Sequence, residues 1–588
     1  MTQKQSNRKN KIMSGIIIIL SIIGLILCIA ALFPHVREMI LDYVVKHVMY
    51  KEIDRETSSY QTGIRLLLSY ALGGICFILF LDYCTLTDSG RSLVREVKQE
   101  IKDCWSEIDF RSFLKPSLIL LGVYFLGILT IIRANFLYRD DIWRAAEGAR
   151  GWFLYFSRHI TEILSIFVHA DSVLTDISPL PQLLAILMLS VSSVLLVYII
   201  GNKKITTVGL LASIPLGLSP YFLECLSYKF DSPYMALSIL VSIVPFLFIA
   251  RKKAFLFISV LSLLVMCMTY QASSGIYMMM VVVLCFQYWN SREKTNKEII
   301  SFLGIAAFAF CFAMLFFRFF LMRPYGLEES EYASTLMFSA SHILSGTLDN
   351  IKEYAMTINH DFGMIWKIGI AIVFLFFITK SIYRSAQVKI LSFFISILVI
   401  VLSFILSFGV YFLLEAPLFE PRAMYGLGAF LAIMCISVIS DYKKIASVAV
   451  LALNWCFLVF AFSYGNALAD QARYAEFRIT ILMHDLGGLY PNAGKEGNFT
   501  LQLKNAIEFT PVVKNIAKHY PVIEKLVPKR LDSYYYDYCY FMKYFNYISH
   551  WPVDSYLDFD AWDLPVVLDS YYHTIKSDGE HILIILKH

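Results

Sequence analysis

The chain has 588 residues, of which 58% are hydrophobic and only 16% are charged. Soluble domains carry about 25% charged residues, so this composition excludes an ordinary water-soluble enzyme. Bases exceed acids by +5, but they lie in short loops rather than on one soluble face and therefore do not predict a nucleic-acid partner. The 11 cysteines include no CxxC pair, so the sequence supports neither a zinc site nor a disulfide framework.

Apolar runs of membrane-spanning length recur along the chain and predict an α-helical polytopic membrane protein with about thirteen transmembrane helices. The first run follows a basic segment, has no small-residue cleavage site and is longer than a signal-peptide core, which indicates an uncleaved span. The predicted spans are 13–33, 63–82, 113–132, 180–200, 205–221, 233–250, 254–270, 274–290, 300–322, 363–380, 388–413, 423–440 and 444–465.

Every second gap between these spans carries a basic cluster, and the clusters lie at 91–102, 203–204, 251–253, 292–297, 384–389 and 443–444. By the positive-inside rule the amino terminus is on the inner side of the membrane and the carboxyl terminus is on its outer side. Gly151 to Ala170 is apolar but has Arg158, His159 and Glu162 at its middle, which favours an interfacial helix on the outer face over a span. A second interfacial helix is predicted at 34–52.

Three regions follow from this pattern. Residues 1–110 hold two transmembrane helices with their connecting loops. Residues 111–465 form the transmembrane core, with a first large outer loop at 133–179. Charges return in residues 466–588, where strand-like and helical patterns predict a small external α/β domain. The strand-like runs are Asn498 to Leu503, Leu564 to Leu568 and His581 to Leu586, and the helical pattern is Leu503 to His519.

Polar residues at the predicted outer border include two adjacent acids, Asp140 and Asp141. A carboxylate there can act as a general base, although acids at a helix start are equally compatible with capping. With a helix turning at Ile142, the two side chains point about 100° apart, so only one can be the base. Asp141 and Arg144, three residues apart, are favoured as a structural pair, which leaves Asp140 as the base; Asp140 and Arg144 are the competing pair.

Arginines on the same side can bind a phosphate group through paired hydrogen bonds, or can anchor lipid headgroups. Arg422 is favoured for phosphate because it opens a span in a Pro-Arg step after two acids, with Arg139, Arg144 and Arg158 as further candidates. His360 beside Asp361 supplies too few ligands for a metal site. The remaining substrate-binding candidates are Tyr138, Trp143, Asp231, Tyr270, Gln271, Arg323 and Asp361, although Asp231 and Gln271 also fit helix caps.

The order of several motifs, from about residue 110 onward, resembles the Gtr-type (type II) glucosyl transferases of bacterial O-antigens and, more widely, the GT-C class. The motifs are YRDDIWRAAEGARGW (Tyr138 to Trp152), DISPLPQLLAIL (Asp176 to Leu187), SPYFLECLSYKFDSPYMALS (Ser219 to Ser238), TYQASSG (Thr269 to Gly275), EPRAM (Glu420 to Met424) and YGNALADQ (Tyr464 to Gln471).

This resemblance implies a GT-C-like membrane glycosyltransferase that moves a sugar, expected to be glucose, from a polyprenyl-phosphate donor to an envelope glycan such as O-antigen. It implies inversion in a single displacement, with a base in the first outer loop at Asp140 or Asp141. It also implies two functional partners, a flippase and a polyprenyl-phosphate sugar synthase. Some members of the class require a divalent metal, Mg²⁺ or Mn²⁺, and others do not, so the cofactor stays open.

Two other functions compete with glycosyl transfer. The first is a transporter or flippase of lipid-linked glycans, and the second is an envelope polysaccharide polymerase or ligase. Transporters place charged sites near the membrane midplane, whereas here the acids and arginines gather at the outer border, which favours surface chemistry. Only the Gtr-like motifs separate a polymerase or ligase from a transferase of the Gtr type.

Overall fold

The computed structural model describes residues 73–75, 77–152, 156–322, 337–339, 341–439, 444–491, 500–532, 544 and 563–587. The first predicted span, most of the second, the helix predicted at 34–52 and the candidate Arg323 lie outside the described residues. The other eleven predicted spans lie almost completely within them.

The described residues are mostly helical, as expected of apolar segments that must satisfy their backbone hydrogen bonds internally. The helices are α1 (Asp88–Glu107), α2 (Arg111–Ala134), α3 (Asp141–Glu147), α4 (His159–His169), α5 (Leu180–Ile200), α6 (Thr207–Ala212), α7 (Pro215–Leu218), α8 (Pro220–Ser227), α9 (Ser232–Ile243), α10 (Lys252–Cys267), α11 (Ser274–Ser291), α12 (Asn296–Phe316), α13 (Ile343–Asp361), α14 (Met364–Tyr383), α15 (Lys389–Leu406), α16 (Pro421–Met424), α17 (Gly426–Ile439), α18 (Lys444–Leu489), α19 (Pro511–His519) and α20 (Ile523–Leu526).

Within the described part of the chain, eight helical segments are long and apolar enough to cross a membrane, or nine if a bent pair counts as one span. The eleven spans predicted after residue 110 all fall on helices, but the predicted total of thirteen is not confirmed. The predicted span 205–221 is the bent pair, in which α6 and α7 meet α8 at 62°. Pro215 and Pro220 each open a new helix there, because proline cannot continue the hydrogen bonding of the preceding one.

The centre of the bundle is α17, in which every residue is buried. By contrast, α12, α14 and α15 bury only about a fifth of their apolar windows and present the rest outward, as lipid-facing helices do. At Gly465 of α18 the backbone of α2 comes so close that an added Cβ would meet Thr130. This close approach fixes α18 against the helix that leads into the first large loop.

Two pairs of the segments that carry the predicted basic clusters contact each other. Arg251 and Lys253 form ion pairs with Glu107 and Glu96 of α1, and Arg292 donates a hydrogen bond to Gln387 at 3.3 Å. In the segment predicted to be interfacial, α4 is an 11-residue helix, and it is not among the candidate spans.

A sheet of four described strands follows α18, with β1 (Thr500–Lys504), β2 (Val566–Asp569), β3 (His573–Ser577) and β4 (His581–Leu586) in the order β1-β4-β3-β2. The β1 and β4 strands are parallel, and the other neighbours are antiparallel. The sequence predicted three of these strands and missed β3, whereas the helical pattern from Leu503 is a helix only in α19. The sheet packs on the last turns of α18 through Ile479 and Leu486, so the predicted boundary at 465 falls inside one continuous helix.

Candidate active site

A cavity of about 540 Å³ lies between the loop that follows α2 and the segment around α20. Its charged lining is balanced, with four basic and four acidic residues, and Trp143 and Phe509 add two aromatic rings. The lining residues are Arg139, Asp140, Trp143, Glu420, Phe509, Glu524, Lys525, Val527, Pro528, Lys529, Arg530 and Asp532.

The two adjacent acids have different surroundings. Asp141 is fully buried, and its Oδ2 accepts backbone N–H bonds from Tyr138 and Lys229, both at 3.0 Å. Burial raises the pKa of Asp141 to about 8. Asp140 precedes α3, lines the cavity and keeps 46% of its side chain exposed. Asp140 is therefore the acid that a substrate can reach.

The favoured pairing of Asp141 with Arg144 is wrong, because the Asp141 carboxylate turns toward backbone donors. The competing pair is present instead: Arg144 Nη2 lies 4.0 Å from Asp140 Oδ2. The helix also begins one residue earlier than predicted, at Asp141.

A buried carboxylate that the sequence did not single out organises the wall beside the cavity. Glu224 of α8 is fully buried, accepts the backbone N–H of Arg422, and accepts a hydrogen bond from Arg422 Nη1 at 3.0 Å. The Tyr138 hydroxyl lies 3.2 Å from Glu224 Oε1, and Arg139 Nε lies 3.8 Å from it. The Glu224 cluster consists of these residues with Glu420: Tyr138, Arg139, Glu224, Glu420 and Arg422.

Glu420 lies between the two arginines of this cluster. Its Oε2 is 3.6 Å from Arg139 Nη2 and 3.9 Å from Arg422 Nη1. Burial, together with the neighbouring Glu224 carboxylate, raises the pKa of Glu420. The cluster thus combines two guanidinium groups and two carboxylates at the start of α16, next to the cavity.

A second buried group, the Asp231 cluster, consists of Arg144, Trp152, Arg158 and Asp231. Asp231 lies 3.5 Å from Arg144 Nε and 3.9 Å from Arg158 Nη1, and it accepts a hydrogen bond from Trp152 Nε1. It occupies the N-cap position of α9, yet its side chain caps nothing there. Arg158 stacks 4.3 Å from the centre of the Tyr270 ring.

Two further candidates from the sequence, Tyr270 and Gln271, lie near the Asp231 cluster. The Tyr270 hydroxyl donates to the Arg422 carbonyl oxygen at 3.1 Å and so joins the two clusters. Gln271 donates to the Phe156 carbonyl oxygen at 3.2 Å, outside the cavity lining.

The segment around α20 is held to the bundle by Asp361, which ends α13. Lys525 Nζ lies 2.9 Å from Asp361 Oδ1, and the Tyr221 hydroxyl donates to Asp361 Oδ2 at 2.8 Å. The role of Asp361 that the structure supports is thus to fix the cavity wall. Among the described residues, no group of three or more His, Cys, Asp or Glu is placed to hold a metal ion.

The structure therefore brings together Tyr138, Arg139, Asp140 and Arg422. It places Arg144, Arg158 and Asp231 in a neighbouring cluster, which contacts the first through Asp140 and Tyr270. Sequence reasoning missed Glu224 and the basic residues near α20 that line the cavity. A signal for Glu224 existed, because it is the only acid in the otherwise apolar run SPYFLECLSY, which ends just before Lys229. No comparable signal marked Lys525, Lys529 or Arg530, because their chain region reads as an ordinary polar surface.

A bundle of long apolar helices with a charged cavity between its loops is the architecture of a membrane protein. Residues 129–433, more than half of the chain, match the family model for glucosyl transferase GtrII. The chain therefore belongs to the GtrII glucosyl transferase family, which confirms the resemblance of its motifs. The matched region contains Asp140 and every residue of the Glu224 cluster.

A similar protein is described as an uncharacterized 55.3 kDa protein in the gtrB 5' region of Salmonella phage P22. It is 22% identical over 441 residues, which cover 71% of this chain and 87% of the phage protein. No solved structure matches the chain.

Proposed function

We propose that this glucosyl transferase moves glucose from a polyprenyl-phosphate donor to a cell-envelope glycan such as O-antigen, with inversion at the anomeric carbon. The observation that supports the proposal most is the position of Asp140. Its half-exposed carboxylate lines the cavity that Arg139 also lines, and Arg139 faces Arg422 across Glu420. One site thus offers a proton acceptor and a paired cation.

In this mechanism Asp140 accepts the proton of an acceptor hydroxyl as its oxygen attacks the anomeric carbon. The bond from that carbon to the phosphate oxygen breaks in the same step, and polyprenyl phosphate leaves with the electron pair. One base is sufficient, because no covalent bond forms between sugar and enzyme. Asp141 is unsuited to this role, since it is fully buried and bonded to the backbone.

Arg422 and Arg139 are proposed to bind the donor phosphate. The leaving phosphate gains negative charge as the bond breaks, so two fixed guanidinium groups stabilise the transition state more than the ground state. Of the three partners considered for Arg422, Arg139 is the one that shares Glu224 and Glu420 with it. Arg422 lies where the buried helices α16 and α17 begin, a position that a phosphate on a membrane-bound lipid can reach.

The cavity end of the bundle is proposed to face the outside of the bacterial cytoplasmic membrane, with a flippase and a polyprenyl-phosphate sugar synthase supplying the donor. Labelling with a membrane-impermeant maleimide tests this orientation. In a background whose own cysteines do not label, Asp578→Cys should react in intact cells and Lys203→Cys should react only after lysis. The reverse pattern would place the cavity in the cytoplasm and remove the lipid-donor argument.

The donor is tested with the purified full chain in nanodiscs, given lipopolysaccharide and one glucose donor at a time. Transfer is expected from polyprenyl-phosphate glucose and not from UDP-glucose, and NMR of the product should show the anomeric configuration opposite to that of the donor. Adding EDTA, or Mg²⁺ or Mn²⁺, decides the metal requirement. Transfer from UDP-glucose alone, or retention of configuration, would contradict the proposal.

A further inference from the structure

The position of Glu420 between two arginines has a consequence for how the donor enters and the product leaves. Glu420 Oε2 lies 3.6 Å from Arg139 Nη2 and 3.9 Å from Arg422 Nη1. Both distances exceed the 2.7–2.9 Å of a charge-assisted hydrogen bond. Among the described residues this buried oxygen has no hydrogen-bond partner. A single carboxylate oxygen therefore lies between two guanidinium groups without bonding closely to either.

The same position suits a phosphate group better than a carboxylate. A phosphate presents several oxygens around one centre, so it can reach two guanidinium groups at once with short bonds. Arg422 does not depend on Glu420 for its placement, because the fully buried Glu224 accepts two hydrogen bonds from it. Arg139 lies 3.8 Å from the same Glu224 carboxylate. Glu224 thus holds Arg422 in place, and keeps a negative charge near Arg139, whichever anion occupies the gap.

The charges of the Glu224 cluster oppose the presence of both the Glu420 carboxylate and a phosphate between Arg139 and Arg422. Glu224 and Glu420 balance Arg139 and Arg422, so a phosphate added to the intact cluster would bring a third anion into a largely buried space. Glu420 can move, because about a quarter of its side chain is exposed and it lines the cavity. Lys525 lines the same cavity, and the displaced carboxylate can approach it while it remains paired with Asp361.

We propose that, in the donor-free protein, the Glu420 carboxylate occupies the phosphate position between Arg139 and Arg422, that the donor phosphate displaces it, and that its return helps to expel polyprenyl phosphate after transfer. This inference rests on the proposed function for the donor class. It makes Glu420 a positioning residue that competes with the substrate, and not a proton acceptor.

The test compares the binding of undecaprenyl phosphate, and of undecaprenol without phosphate, to the full chain and its variants in nanodiscs. Glu420→Gln removes the competing charge and should bind undecaprenyl phosphate about tenfold more tightly, as expected for one lost charge interaction. Undecaprenol should bind all variants alike. Arg422→Ala should weaken binding of the phosphate form only.

Glu162→Gln is the matched control. Glu162 has 23% of its side chain exposed, compared with 26% for Glu420, and pairs with Arg150 at 3.3 Å, away from the cavity. It should bind undecaprenyl phosphate as the wild type does. Glu420→Asp, which shortens the side chain but keeps the charge, should tighten binding by a smaller factor and serves if the glutamine variant does not fold.

Steady-state kinetics of Glu420→Gln show whether Glu420 competes with the donor phosphate or acts as the base. Under the proposal, Glu420→Gln lowers both the KM for the donor and kcat, because the product leaves more slowly. If Glu420 were the base, kcat would fall while phosphate binding stayed unchanged, and this would overturn the inference. Unchanged or weaker binding by Glu420→Gln, together with weaker binding by Arg422→Ala, would refute displacement and leave the donor class intact. Equal binding of both lipids by the wild type would refute the donor class and the inference together.

Discussion

The Glu224 cluster and the Asp231 cluster contain the same chemistry and differ in what covers them. Each holds a buried carboxylate between two arginines that are at most 15% exposed. In the Asp231 cluster the guanidinium groups lie against rings, with Arg144 over Trp152 at 4.2 Å and Arg158 over Tyr270 at 4.3 Å. In the Glu224 cluster, Arg139 and Glu420 line the cavity.

This difference shows that buried arginine–carboxylate pairs alone do not mark a binding site. An arginine covered by aromatic rings is stabilised where it stands and has little room for a ligand, whereas one beside a polar cavity can exchange its partner. We therefore expect the Asp231 cluster to support the first loop and the Glu224 cluster to bind substrate. Substitutions can break that division, beginning with the acid that stands between the clusters.

The largest expected effect is that of Asp140→Asn on the transfer rate. Loss of a general base typically lowers the rate by about 10²- to 10⁴-fold, while the amide keeps the shape of the side chain. Asp141→Asn, measured at equal amounts of folded protein, should retain far more activity because Asp141 does not line the cavity. Near-normal initial rates in Asp140→Asn would show that the base lies elsewhere.

Arg422→Ala should have the next largest effect, a fall in kcat/KM of about 10²- to 10³-fold, as for other groups that stabilise developing charge. Arg422→Lys should restore only part of this activity, because an ammonium group cannot form the paired bonds of a guanidinium. Arg158→Ala is the comparison from the Asp231 cluster and should change donor KM by no more than a few fold. An equal fall in kcat/KM in Arg422→Ala and Arg158→Ala would show that the two clusters do not differ in substrate binding.

For the Asp231 cluster the expected effect is on stability. Asp231→Asn removes the nearest carboxylate of both Arg144 and Arg158 and leaves Arg144 only the more distant Asp140. Breaking a buried ion pair typically costs about 3–5 kcal/mol of unfolding free energy. Fluorescence-detected unfolding in detergent measures this loss. The transfer rate per folded molecule should fall less than in Arg422→Ala, and a larger fall would assign Asp231 to the chemistry.

The prediction that bears least on the transfer rate is a change in the pH dependence of stability at Asp141. Its pKa is raised to about 8 by burial, above the value near 4 of an unfolded aspartate. The folded state therefore binds the proton more tightly, and this contribution is complete below about pH 4 and is lost as the pH rises toward 8.

Asp141→Asn lacks this titration, so its unfolding temperature should rise relative to the wild type between pH 5 and pH 8. Asp140→Asn, which keeps Asp141, is the control for a substitution in the same loop. Parallel pH profiles for Asp141→Asn and the wild type would show that Asp141 does not gain a proton on folding.

The sequence predicted the helices after residue 110 well, because the local amino-acid composition distinguishes apolar spans from basic loops. The sequence also grouped Tyr138, Arg139, Asp140 and Arg422 on one predicted side of the membrane, and the structure brings these four residues together. What could not be predicted depends on contacts between distant segments. The turn of Asp141 toward the backbone of Lys229 spans 88 residues, and the bond from Lys525 to Asp361 spans 164. No periodicity or spacing records such contacts, so the pairing of Arg144 was predicted wrongly and Glu224 was not singled out.

Because α18 is one continuous helix, its length fixes the direction in which Gln471 points toward the segment beside the cavity. This helix has 46 residues and is about 69 Å long at 1.5 Å per residue. At one end it packs against α2, and further along the fully buried Gln471 accepts the Thr510 N–H at 3.2 Å and donates to the Glu508 carbonyl oxygen at 3.3 Å. An inserted residue before Gln471 would rotate these bonds by about 100° around the axis. The number of residues in α18 therefore decides which of its side chains can bond to the segment that carries the cavity-lining Phe509.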